Sequence, residues 1–296
     1  MSRSRMRMIV LTSVFLVTAC LAVAQQPSTA HPTVSSVLDR MKSATWTERQ
    51  KAFGEATELA ASGKQTPHDA DQLRLGIIQL LIKENNGGLK EPDNETQQGS
   101  PNTASTESSA DENYGEGYGE DKSEYYAGLI GFVAGLNDER AIPALLGAAN
   151  TGGMASRGVA RFGKKALAPT LAQVKSQDSH LASGALFVIL EMLKMRTVSD
   201  PDSHLRIKNS LRSALASPEY RVRKNAMTPI EYLDDREEFV PMLQDIAEHD
   251  PYKSPYNLGS KGSGEDSQYV VRRGARLLLR KIANHEQPAV DRGVSR

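Results

Sequence analysis

The stretch Tyr220-Arg221-Val222-Arg223-Lys224-Asn225-Ala226 comes back once more in the chain, as Tyr269-Val270-Val271-Arg272-Arg273-Gly274-Ala275. An aromatic, a β-branched residue, basic residues and a small residue recur in register. On a helix, residues four apart share a face, so Val222 lies with Ala226 and Val271 with Ala275. The basic residues between them point elsewhere. Each copy is therefore read as an amphipathic helix with a narrow apolar stripe and a charged shoulder.

The segments that lead into these helices repeat too. Ala141-Ile142-Pro143-Ala144-Leu145, Leu167-Ala168-Pro169-Thr170-Leu171 and Phe239-Val240-Pro241-Met242-Leu243 share an apolar-x-Pro-x-Leu core. Pro169 and Pro241 are 72 residues apart, two units of 36, and Leu205-Arg206-Ile207 fills the slot between them without the proline. A period of this size, one helix pair per unit, marks an α-solenoid. Pro143 lies 26 residues before Pro169, which leaves room only for a short second helix around Gly152-Gly153.

Over residues 122–284 the pattern resembles the HEAT-repeat family, in which a proline bends the first helix of each pair and a valine-arginine-x-x-alanine run opens the second. The resemblance implies an all-α fold and a protein-binding role. The expected pairs are helices over 141–149 and 154–162, 165–174 and 181–195, 205–215 and 221–233, and 236–247 and 269–283. The last pair is interrupted by a loop over 250–267.

Upstream, residues 34–86 read as an N-terminal helical segment. Val37, Leu38 and Met41 form one apolar face. Thr47 is placed to cap a helix over 48–62, on which Phe53, Ala56 and Leu59 align. Residues 71–85 are apolar nearly all round, the mark of a buried helix. Trp46, the single tryptophan, is expected as a core or cap anchor. Between this segment and the repeats, residues 87–121 are rich in Gly, Ser, Thr, Asn and acidic side chains. So little apolar surface is expected to leave the segment a disordered linker.

The first 24 residues carry Arg3, Arg5 and Arg7, then an apolar run too short to span a membrane, then Ala22-Val23-Ala24 before Gln25. This is the pattern of a cleaved signal peptide, and it implies a protein exported by a bacterium to the periplasm or the medium. A second route is open: Val17-Thr18-Ala19-Cys20 resembles a lipoprotein box, with Cys20 as the acylated residue. Cys20 is the only cysteine. Cleavage after Ala24 removes it, which excludes disulfides and thiolate chemistry from the mature chain.

Thirty-six basic residues balance 36 acidic ones, but unevenly. From Glu91 to Glu124 there are ten acids and one base, Lys122, so the remainder is mildly basic. The acidic linker is either a tether or a segment that competes for the basic shoulder. Residues 285–296 form a polar tail.

No catalytic set is visible. The six histidines fall at helix ends or in loops, no nucleophile elbow or phosphate loop occurs, and Gly259-Ser260-Lys261-Gly262-Ser263-Gly264 follows no strand. No metal site and no cofactor are expected. The candidate binding surface is Arg221, Arg223 and Lys224 from one unit with Arg272, Arg273, Arg276 and Arg280 from the next. Arginine's planar fork suits carboxylates and phosphates. The competing reading pairs these residues internally with Asp234, Asp235, Glu237 and Glu238. The function expected is a non-enzymatic scaffold for a protein partner, an acidic one if the arginines face it. The alternatives are an enzyme or accessory subunit of the envelope with an unrecognised active site, and a nucleic-acid binder, against which export and the near-neutral charge both argue.

Overall fold

The computed structural model describes residues 32–43, 45–87, 120–254 and 268–285. The leader with Cys20, the acidic tract over 88–119, the loop over 255–267 and the tail from 286 lie outside the described residues. Within them, every regular element is helical and there is no strand. The helices are α1 (Val34–Arg40), α2 (Trp46–Ser62), α3 (Pro67–Asn85), α4 (Glu120–Gly135), α5 (Ile142–Ala148), α6 (Gly153–Ala160), α7 (Lys164–Val174), α8 (Ser179–Lys194), α9 (Pro201–Leu215), α10 (Tyr220–Ile230), α11 (Val240–His249) and α12 (Val270–Ala283).

Short polar residues set the starts. Thr33, Thr66, Asp178 and Asp200 each accept a backbone N–H of the first turn of α1, α3, α8 and α9. Asp200 is held well below the usual carboxylate range by hydrogen bonds from Ser203 and then by Lys164. The prolines act differently from the expected bend. Pro143 and Pro241 sit in the first turn of α5 and α11, each after a 3-10 turn (Glu139–Ala141 and Arg236–Phe239). Their missing N–H costs nothing there, and they mark the change of winding. Pro169 alone of the three lies inside its helix. α2 also begins earlier than expected, at Trp46, with Thr45 rather than Thr47 in the cap position.

The helices pack in a regular order. Each odd helix packs on the even helix that follows it: α1 on α2, α3 on α4, and so on to α11 on α12. Even helices also pack on the next even helix, from α2–α4 through to α10–α12. Odd helices do the same from α1 to α9. The helices before the acidic tract are part of this order, since α3 touches both α4 and α5. One apolar cluster runs through the described residues, from Val34 to Ile282. Burying each leucine or isoleucine side chain of this cluster contributes about 2 kcal/mol.

Small residues let α6 close on α4, and α8 on the turn between α5 and α6. A Cβ on Gly158 of α6 would meet the Ala134 Cβ of α4 at 2.9 Å, and one on Gly184 of α8 would meet the Asn150 backbone nitrogen at 2.8 Å. At the amino end, the Trp46 and Phe53 rings meet Tyr125 edge-on at 5.9 and 6.0 Å, and the Tyr125 hydroxyl donates to the Met41 carbonyl. Trp46 is thus an anchor, with the Arg49 guanidinium 4.2 Å above its ring.

Candidate functional site

α10 buries Val222, Ala226, Met227 and Ile230 and turns Lys224 and Thr228 to solvent. α12 buries Val271, Ala275, Leu278 and Ile282 and exposes Arg273, Leu277 and Arg280. The apolar stripe read from the repeated stretch is therefore the packing face in both helices. The two stripes meet: a Cβ on Gly274 would lie 3.2 Å from the Met227 sulfur.

The basic shoulder divides. Arg223 is only 8% exposed. Its Nε and Nη2 donate to the two carboxylate oxygens of Asp250 at 2.6 and 3.0 Å, and its Nη1 donates to the carbonyls of Ser217 and Pro218. Those carbonyls follow the end of α9, and Asp250 follows the end of α11. A guanidinium supplies donors in a fixed fork, so one residue ties two helix ends together. Arg272, in the same register on α12, donates through Nε to the Asp250 carbonyl at 2.7 Å and stacks on Tyr269 at 4.2 Å. Arg276 donates to the Ala247 carbonyl in the last turn of α11. Cations at a helix C-terminus meet its orphan carbonyls and the negative end of its dipole.

Three of the seven candidate side chains thus serve the fold. The acid that takes Arg223 is Asp250, not one of the four expected. Asp235 and Glu238 are taken by Lys208 of α9, and Glu238 also by Arg212. The hydrogen bonds that Lys208 donates to Asp235 and Glu238 hold its ammonium pKa above the usual lysine value. Burial is the largest influence on the Asp235 carboxyl and pushes it up, but the bond and charge of Lys208, with smaller hydrogen-bond contributions, together outweigh it and the net shift is down. Glu237 lies 4.0 Å from Arg236. In the odd row, exposed pairs link one unit to the next: Asp71 to Arg140, Glu139 to Lys165 and Lys164 to Asp200.

Lys224, Arg273 and Arg280 remain on the surface. Arg221 is half-buried. Its Nε donates to the Tyr220 hydroxyl at 3.1 Å, and its Nη1 stands 3.3 Å from the His180 ring. The Tyr220 ring stacks on Tyr252, centroids 3.5 Å apart and nearly parallel. His180, Tyr220 and Tyr252 were not among the residues the sequence singled out. Tyr220 opens the repeated stretch, which was the one signal available; Tyr252 sits after the last turn of α11, where no periodicity applies.

A groove of about 290 Å³ lies at the other ends of the even helices, where α8, α10 and α12 finish. Leu193 and Leu233 give it an apolar floor, and Arg196, His204, Asp234 and His285 are among its polar walls. The His204 ring is engaged with the Val198 carbonyl at 3.1 Å. Among the described residues no group of three or more His, Cys, Asp or Glu is placed to hold a metal ion. No helix among them is long and apolar enough to cross a membrane.

Compared with known proteins, the chain matches no protein-family model, and no curated protein matches it.

Proposed function

We propose that the chain is an exported, non-enzymatic scaffold built as a HEAT-like α-solenoid, and that it binds a protein partner of acidic character. The observation that carries this reading is the order of the helix contacts. Each helix touches its hairpin partner, and each touches its counterpart in the next hairpin along the whole even row and along the odd row from α1 to α9, which is the near-neighbour packing of a stacked repeat. Such packing leaves a long continuous surface along each row, suited to docking extended partners. Lys224, Arg273 and Arg280 give the even row a positive face at its carboxyl end, where electrostatic complementarity favours acidic surfaces. Export rests on the leader of residues 1–24, with acylation at Cys20 as the second route. The competing reading is an enzyme or accessory subunit of the envelope.

The test is affinity capture from cell-envelope extract with the full tagged chain, followed by mass spectrometry. The reading expects a specific acidic partner whose capture weakens as salt rises. Substituting Lys224, Arg273 and Arg280 by alanine reduces that capture without changing the melting temperature. A chain that captures no specific partner, or that turns over a substrate on its own, contradicts it.

A further inference from the structure

We propose that the outward face of α6, α8, α10 and α12 is one continuous basic track, and that it receives an extended acidic segment of the protein partner laid across the helices. The inference rests on the scaffold reading and names the form of the partner and the length it must have. The charge of the even row reverses along its length. α2 and α4 together carry six acids and three bases in sequence. α6, α8, α10 and α12 carry ten Lys and Arg (one, one, three and five in turn) against one acid, Glu191. The odd helices beside them, α5, α7, α9 and α11, are mixed, with five bases and three acids. The surplus therefore belongs to one row.

The acids around this track are used or lie at its edges. Glu191 is buried and accepts bonds from Arg157 at 3.2 Å and Lys194 at 3.1 Å. Glu231, just past α10, takes both bonds of Lys281, and Asp250 takes Arg223. Asp178 and Glu219 stand before the helices, and Asp234 and Glu237 after them, so the band between is basic.

The bases that reach solvent do so on one side. Arg157 of α6, Lys224 of α10, and Arg273 and Arg280 of α12 are exposed, each opposite the buried stripe of its helix. Consecutive even helices are in contact from α6 to α12, so these four side chains share a surface. Two exposed apolar side chains lie at its ends, Met154 of α6 at 54% and Leu277 of α12 at 45%. Cations with apolar side chains among them suit a polypeptide that carries both acidic and apolar residues. Packed helices lie about 8–10 Å apart, so α6 to α12 spans roughly 25–30 Å. An extended chain advances about 3.3 Å per residue, so about eight or nine residues cross the row.

The experiment measures binding of tetra-, octa- and dodecaglutamate to the full chain by calorimetry. Octaglutamine is the uncharged control, and phosphatidylglycerol vesicles are a second anionic probe. Affinity is expected to rise roughly tenfold or more from tetra- to octaglutamate and little beyond, because a longer chain overruns the row. Arg157→Ala and Arg273→Ala, at opposite ends of the track, are each expected to weaken octaglutamate about two- to fivefold, the worth of one exposed ion pair. Lys51→Ala removes an exposed base of α2, outside the track, and is expected to bind as the wild type does. All three variants are expected to melt like the wild type. The proposal is overturned if Arg157→Ala binds octaglutamate like the wild type, since the track then does not reach α6. It is overturned equally if Lys51→Ala weakens binding as much as Arg157→Ala, if length makes no difference, if octaglutamine binds as well, or if the wild type binds vesicles and no peptide. A wild type that binds no oligoglutamate but still captures an envelope partner ends this inference and leaves the scaffold reading standing.

Discussion

α10 and α12 begin with the same stretch of sequence and use its arginine in different ways. In α10 the arginine is buried: Arg223 forks onto the Asp250 carboxylate, whose side chain is 2% exposed. In α12 its counterpart Arg272 stays half-exposed, lies over Tyr269 and bonds the Asp250 backbone carbonyl. One residue, Asp250, therefore receives both copies, through its side chain from one and its main chain from the other. The repeated arginine is a joint between helix ends before it is a binding group. What distinguishes the two joints is cost: a buried, fully desolvated pair tolerates the loss of neither partner, whereas a half-exposed bond to a carbonyl is replaced by water.

The packing stripe gives the largest way to break the comparison. Ala226 and Ala275 are both fully buried. Ala226→Asp places an unpaired carboxylate between α8, α10 and α12 and is expected to cost about 4–5 kcal/mol in urea unfolding. Ala275→Asp is expected to cost less, about 3 kcal/mol, because α12 has neighbours on fewer sides. Equal, small losses at both positions would mean the helix faces are wrong. Next comes the joint itself. Arg223→Ala strands the Asp250 carboxylate and is expected to lose about 3–4 kcal/mol; adding Asp250→Ala recovers part of that loss, because the stranded charge is gone. Arg272→Ala removes a bond that solvent can replace and is expected to lose about 1 kcal/mol. If the two arginine variants were equally destabilised, the distinction between the joints would fail.

A buried carboxylate at the opposite end sharpens the contrast. Glu84 of α3 is buried like Asp250, but one of its oxygens has no hydrogen-bond partner, and neither has one guanidinium nitrogen of the buried Arg49. Burial raises the Glu84 carboxyl above its usual range, against the pull of Arg49, Lys122 and Lys83. A raised carboxyl stabilises the fold while protonated. That contribution is present at pH below the unfolded value near 4.5 and is lost as pH rises through the folded value. The melting temperature of Glu84→Gln is expected to match the wild type at pH 4 and to exceed it modestly at pH 7. A variant that melts lower than the wild type at pH 7 would show that the ionised carboxylate is stabilising.

Val222 with Ala226, and Val271 with Ala275, were legible because a four-residue spacing fixes a helix face whatever surrounds it. Helix existence followed throughout the described residues, and the boundaries moved by a few residues at caps and 3-10 turns. The partner of Arg223 was not legible. Asp250 lies 27 residues away and is brought close by the offset between neighbouring hairpins, which periodicity does not encode. Two of the four acids expected, Asp235 and Glu238, are claimed by Lys208 and Arg212 of the other row. The groove was hidden for a related reason: the helix ends that form it are far apart in sequence.

The account depends on α10 and α12 lying side by side in the even row, with Met227 against Gly274. In a Cys20→Ser background the chain has no other thiol, so cysteines placed at 227 and 274 report on that contact alone. Mild oxidation is predicted to close a disulfide between them in the folded protein and not in urea. A pair that stays reduced in the folded protein, while cysteines at positions the packing keeps apart become linked, contradicts the stacking on which the fold and the proposed surface both rest.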